Sequence, residues 1–157
     1  MLKKKTEKIL ERQHYRLVGK NRHSAVQICM WTKKSLKDEG NCYKQQFYGI
    51  KSHGCVQMSP AVMWCPNKCI HCWRAIELTE GDKIKGKIDS PKEIVDDCIK
   101  QQQKLLIGFK DAGKVNMTKY NEAQKPSQFA ISLSGEPTIY PHMGGLIEEL
   151  RSRKISS

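Results

Sequence analysis

Apolar positions change period along this chain. From Gly54 onward they predict strand, helix, strand, helix. Gly54-Cys-Val-Gln-Met-Ser-Pro60 is a short apolar run closed by proline, the pattern of a buried strand. Ser90-Pro91-Lys92-Glu93 combines an N-cap serine, proline at the first helical position and glutamate three residues after the cap. The helix it opens carries Ile94, Val95, Cys98, Ile99, Leu105, Leu106 and Phe109 on one face. Cys98 sits within that stripe, so it reads as a packed thiol and not a ligand. Gln128-Phe-Ala-Ile-Ser-Leu-Ser134 is a second strand that runs into Gly135-Glu-Pro-Thr138, and Tyr140-Pro141 opens a second helix through Leu146, Ile147 and Leu150. Segments 81–89 and 110–127, the latter with Gly113 and Pro126, are polar and predict connecting loops. Residues 69–78 predict the first turns of a further helix. Strands separated by helical crossovers pair in parallel, as right-handed β/α units of a barrel or open sheet. The N-terminal part is less periodic. Residues 1–22 predict a basic amphipathic helix or arm anchored by Ile9, Leu10 and Leu17, and 24–54 mix turn residues with short apolar and aromatic runs.

Length adds that 157 residues make one modest domain with a real core. No apolar run approaches a membrane span, and Met1-Leu-Lys-Lys-Lys5 has no hydrophobic region behind it. A cytoplasmic protein without a signal peptide or membrane partner is therefore expected. The net charge of +12 is uneven: residues 1–55 hold 13 Lys and Arg against 4 Asp and Glu, and residues 56–157 hold 15 against 12. A basic lobe of that kind points to a polyanion, nucleic acid first, although a solvated basic surface has the same composition.

Seven cysteines in a cytosolic chain are more readily metal ligands than disulfides, and six of them fall between Cys29 and Cys72. Cys65-Pro-Asn-Lys-Cys69-Ile-His-Cys72-Trp73 places three thiols within eight residues. Thiolates are soft ligands, suited to zinc or to an iron–sulfur cluster. Structural zinc sites close a tetrahedron with two separated pairs, whereas this run offers three ligands and no fourth thiol close downstream. The stretch resembles the signature of the radical S-adenosylmethionine enzymes, whose 4Fe–4S cluster keeps one iron open. Upstream, Cys29, Cys42 and Cys55 lie 13 residues apart, which makes a second metal site plausible.

Taken together, Cys42-Tyr-Lys-Gln-Gln-Phe-Tyr-Gly49, Ser52-His-Gly-Cys55-Val-Gln-Met58, the cysteine run through Trp73-Arg74, and Ser134-Gly-Glu-Pro-Thr138 are similar to the tRNA 4-demethylwyosine synthases. The resemblance runs from about Ser24 to Leu150, and Gly54 departs from it, where arginine is expected. It implies that Cys65, Cys69 and Cys72 hold a cluster whose open iron binds the methionine end of S-adenosylmethionine. Ser134, Gly135, Glu136 and Pro137 would bind that cofactor, with Glu136 or backbone carbonyls accepting from its ammonium group. Cys29, Cys42 and Cys55 would hold a second 4Fe–4S cluster that binds pyruvate, and Lys44 would be the amine that forms a Schiff base with it. The implied reaction uses an adenosyl radical to join pyruvate carbons to N1-methylguanosine beside the anticodon of phenylalanine tRNA. Tyr43, Phe47, Tyr48 and Trp73 are candidates to stack on a splayed base, and Lys33, Lys34, Lys37 and Lys51 to reach phosphates.

The expected fold class is α/β: the first two β/α units of an incomplete radical-SAM partial (β/α)6 barrel in residues 56–157, preceded by a basic segment, 1–55, with the second iron–sulfur site. Six units need roughly 190 residues, so the chain is expected to be an N-terminal fragment or truncated product. Electrons are expected from a separate protein such as flavodoxin or ferredoxin. Two alternatives stay open. Another radical enzyme leaves Cys29, Cys42, Cys55 and Lys44 unexplained, and a zinc-bearing nucleic-acid module leaves the strand–helix–strand pattern and Gly-Glu-Pro-Thr unexplained.

Overall fold

The computed structural model describes residues 2–74, 76–110 and 114–157. Among these the helices are α1 (Lys4–Arg12), α2 (Met30–Leu36), α3 (Tyr43–Tyr48), α4 (Pro91–Lys110), α5 (Met117–Ala123) and α6 (Met143–Ser152). The strands are β1 (Arg16–Val18), β2 (Ser24–Gln27), β3 (Cys55–Ser59) and β4 (Gln128–Ile131), and they form one sheet in chain order. β3 and β4 pair in parallel, Val56 opposite Phe129, with α4 as the crossover between them. β1 and β2 were not anticipated. They pair antiparallel, and β2 pairs antiparallel with β3, so residues on both sides of Cys55 share one sheet.

Strand alternation divides the sheet's residues between two faces. Val18, Val26, Val56, Met58 and Phe129 pack in one core with Ile94, Val95 and Cys98 of α4 and Leu146 and Leu150 of α6. The intervening residues Cys55, Gln57 and Ala130 face the other way, where they line a cavity together with Ser132. α4 begins as its sequence predicts: the Ser90 amide donates to Glu93 Oε2 at 3.1 Å, and the Glu93 amide donates to Ser90 Oγ at 3.4 Å. This is a closed capping box. Cys98 is fully buried among aliphatic neighbours, and burial pushes its thiol pKa far up.

Four local expectations change. The predicted helix over 69–78 is not formed; its described residues hold only a 3-10 turn at Ile76–Leu78, with Ile70 and Trp73 exposed. With no apolar stripe to bury, a helix there would gain nothing from packing. The polar segment after α4 contains α5, which Asn116 caps by accepting from the Lys119 amide at 3.2 Å, and which buries Tyr120 and Ala123. Gly113, expected in that loop, lies outside the described residues. Leu17 belongs to a strand and not to the first helix, which ends at Arg12 before His14 takes a positive φ of 64°. β4 stops at Ile131, after which the Ser132 and Leu133 amides both donate to the Met58 carbonyl. After α6 the chain turns back, and Ser156 bridges in parallel to Gln128 at the free edge of β4.

Candidate functional site

Cys29 and Cys42 stand immediately before α2 and α3, and Cys55 opens β3. The three line one cavity of about 190 Å³ with Lys44, Trp31, Gln57 and Ser132. Lys44 lies in the first turn of α3, and its Nζ is 3.6 Å from Cys55 Sγ. Burial raises the Cys55 thiol pKa, the Lys44 ammonium opposes that, and the neighbouring Cys29 and Cys42 thiols add to it. All four groups therefore sense one another electrostatically. Ser52 helps assemble them. Its Oγ accepts from the Cys42 amide at 2.9 Å, and its carbonyl accepts from Thr32 Oγ1 at 3.0 Å, which ties α2 and α3 to the turn before β3.

The second site lies beyond the C-terminal ends of the parallel strands. Cys65, Cys72, Asn67, Trp73 and Arg74 share a cavity of about 110 Å³ with Ser134 and Gly135. Gly135 has φ +89°, and a Cβ there would stand 2.0 Å from the Ala61 carbonyl oxygen and 2.9 Å from that of Trp64. Only glycine lets the turn after β4 lie against the segment entering the cysteine loop. The Glu136 amide donates to the Trp64 carbonyl at 2.8 Å, and Asn67 Nδ2 donates to the Glu136 carboxylate at 3.3 Å. Pro137 begins the 3-10 turn Pro137–Ile139 next to Glu136. Cys69 is exposed and does not line this cavity; the loop between it and Cys72 is closed by the Cys72 amide donating to the Cys69 carbonyl at 3.1 Å.

Among the described residues no three His, Cys, Asp or Glu side chains close on a single ion. The thiols are instead spread around cavities, which suits a cluster several ångström across better than one zinc ion. Polar side-chain atoms buried beside the second cavity, including Ser134 Oγ and Arg74 Nη2, have no partner within the fold. The soft donors and orphaned polar groups fit a cluster with a polar ligand beside it.

No family model matches the chain. Its sequence is 49% identical over 149 residues to the S-adenosyl-L-methionine-dependent tRNA 4-demethylwyosine synthase of Pyrococcus abyssi, covering 95% of this chain and 43% of that one. The enzyme of the same name from Pyrococcus horikoshii is 49% identical over 154 residues, covering 98% of this chain and 44% of the relative. The chain is a homologue of the tRNA 4-demethylwyosine synthases. It spans less than half the length of those two archaeal relatives. A solved structure described as TYW1 with a lysine–pyruvate adduct bound superposes with a TM-score of 0.87 at 34% identity, over 99% of this chain and 50% of that one. The mixed α/β fold is therefore shared with these synthases.

Relative to these homologues, sequence reasoning left Arg74 and Tyr15 without a role. Arg74 stacks on Trp73, its Cζ 3.2 Å from the ring centroid, and lies 5.1 Å from the Tyr15 ring. The signal for Arg74 was its place directly behind the cysteine run; for Tyr15, which reaches the site through folding alone, there was none. Of the lysines expected to reach phosphate, Lys51 pairs with Glu122 at 2.8 Å, and Lys34 lies 5.1 Å above the Trp31 ring. Gly54 has no backbone need for glycine, since a Cβ would meet only the rotatable Ser127 hydroxyl, at 2.7 Å. No helix among the described residues is long and apolar enough to cross a membrane.

Proposed function

We propose that this chain carries the two reaction centres of a tRNA 4-demethylwyosine synthase, on the first β/α units of a radical-SAM partial (β/α)6 barrel. Cys65, Cys69 and Cys72 hold one 4Fe–4S cluster, and Cys29, Cys42 and Cys55 hold a second. The first cluster, when bound, supplies the electron that cleaves S-adenosylmethionine. The turn Ser134 to Pro137 receives that cofactor, Glu136 offering its carboxylate to the ammonium group. Lys44 fixes pyruvate: its amine adds to the ketone carbon, water leaves, and an imine remains. Fixing pyruvate in a half-buried cavity keeps its reacting carbons where N1-methylguanosine of phenylalanine tRNA can be brought to them. The synthesis takes place in the cytoplasm, with electrons from a separate flavodoxin or ferredoxin.

The observation that carries this reading is the meeting of Lys44 with three thiols in one cavity, 3.6 Å from the Cys55 sulfur. A zinc module has no use for an amine there, nor does a radical enzyme without a carbonyl substrate. The similar TYW1 structure with its lysine–pyruvate adduct supports the same role for Lys44. Anaerobic reconstitution followed by borohydride reduction with labelled pyruvate tests it. Iron and sulfide near eight per chain, the content of two 4Fe–4S clusters, are expected, with label on Lys44. Zinc near one per chain, or label spread over surface lysines, would remove the assignment.

A further inference from the structure

Between the cysteine loop and β1 the fold buries several donors and gives them nothing to donate to. The Tyr15 hydroxyl, Ser134 Oγ, and Nε and Nη2 of Arg74 are buried without partners. Tyr15 and Ser134 are 1% and 2% exposed. Arg74 and Ser134 both line the small cavity that holds Cys65 and Cys72, and Tyr15 backs Arg74 with its ring 5.1 Å from Cζ. No ion pair to Arg74 occurs among the described residues. A guanidinium taken out of water without a counter-charge is costly, and here burial pulls its pKa down. Hydroxyl and guanidinium donors converging on one space, with no acceptor among them, are complementary to an oxygen anion.

The charge across the cavity narrows the choice. Asn67, which also lines it, holds the Glu136 carboxylate at 3.3 Å. A cationic wall facing an anionic one suits a zwitterion, whereas a phosphate diester would gain from one wall and be repelled by the other. We propose that Arg74 and Ser134, supported by Tyr15, form a carboxylate subsite that takes the amino-acid carboxylate of S-adenosylmethionine while Glu136 takes its ammonium group. The planar fork of arginine suits a carboxylate in two-point contact, which lysine does not reproduce. This rests on the cofactor assignment above and adds to it the residues that choose which end of the molecule lies where.

The test compares S-adenosylmethionine with its decarboxylated analogue, which keeps sulfonium and ammonium and lacks only the carboxylate. Binding of each to the anaerobically reconstituted chain is measured by equilibrium dialysis, with iron content checked for every variant. The wild type should prefer S-adenosylmethionine by about 10- to 100-fold, the range of one or two charge-assisted hydrogen bonds. Arg74→Gln and Ser134→Ala should each erase most of that preference by weakening S-adenosylmethionine, leaving the analogue within about twofold. Ser134→Ala also guards against misfolding, because deleting a hydroxyl with no partner loses no hydrogen bond and should leave the unfolding temperature unchanged. A preference that survives in both variants, or an equal loss for both ligands, overturns the subsite. Equal binding of both ligands by the wild type overturns it too, while leaving the cofactor assignment intact. Binding of neither removes both.

Discussion

Gly135 is where the second site tolerates least change, and its neighbours give the reason. Any Cβ there meets two backbone carbonyls, at 2.0 and 2.9 Å, and the φ of +89° is strained for other residues. Gly135→Ala should therefore cost about 2–4 kcal/mol of stability, read by thermal or urea unfolding. Gly144 is the control. It lies in α6 with open space around its Cβ position, so Gly144→Ala should stabilise by about 0.5–1 kcal/mol. Equal effects at the two positions would mean that the turn after β4 does not lie on the cysteine loop. Residue chemistry was legible in the sequence where spacing was local, as in Cys65, Cys69 and Cys72. The approach of Lys44 to Cys55 was not, because it depends on how α3 is set against β3.

Elements were legible in proportion to their own signals. The helix α4 announced itself through its capping box and apolar stripe, and the pairing of β3 with β4 followed from that crossover. The strands β1 and β2 are three and four residues long, too short for a period to stand out, and they exist because β3 offers them an edge. What fastens them is a buried polar cluster. His23, just before β2, donates from Nδ1 to the Pro60 carbonyl at 2.7 Å and accepts the Asp89 amide at Nε2, at 2.9 Å. Both ring nitrogens are thus used by a neutral imidazole, and burial lowers its pKa from 6.5. The folded state resists a proton that the unfolded state takes up. His23 therefore supports stability fully above pH 6.5, and that support is lost as pH falls below it toward the depressed folded value. A single such proton gives a slope of at most about 1.4 kcal/mol per pH unit. Urea midpoints between pH 7.5 and 5.5 should fall more steeply for the wild type than for His23→Gln. Identical slopes would show that the ring is already charged or already wet.

At the scale of the molecule, the sheet separates two chemistries. The cavity with Lys44 lies on the face opposite α4 and α6, and the cysteine loop lies beyond the strand ends. Tyr43, Phe47 and Tyr48, all on α3, are 61%, 69% and 71% exposed, so these aromatics stand in solvent beside the first cavity. A base delivered to Lys44 would pass them, and the surplus of basic residues in 1–55 would hold its phosphates. Such a platform predicts that Phe47→Ala weakens tRNA binding by about 1–3 kcal/mol, read by filter binding at fixed salt, without moving the unfolding temperature, because nothing packs on that ring. An unchanged affinity would assign the aromatics to some other surface.

Two sites on separate surfaces should also separate by mutation. Cys65→Ala removes one of three thiolates from the loop and should abolish reductive cleavage of S-adenosylmethionine. It leaves Lys44 and the other three thiols untouched, so borohydride trapping of pyruvate should continue at the wild-type level. Lys44→Arg should do the reverse. It keeps a positive charge near Cys55 but forms no imine under these conditions, so trapping is lost while both clusters and deoxyadenosine formation persist. Because the chain spans less than half of its Pyrococcus relatives, turnover is best read in a chimera in which it replaces the matching part of the Pyrococcus abyssi enzyme. There Lys44→Arg should lower formation of the tricyclic base by a factor of 1,000 or more, on the order of 4 kcal/mol of lost positioning. A chimera that keeps a near wild-type rate with arginine would make Lys44 a charge for the pyruvate carboxylate and move the covalent step elsewhere. One in which Cys65→Ala also stops trapping would mean that the two cavities fold as a single unit, and that their separation across the sheet is structural without being functional.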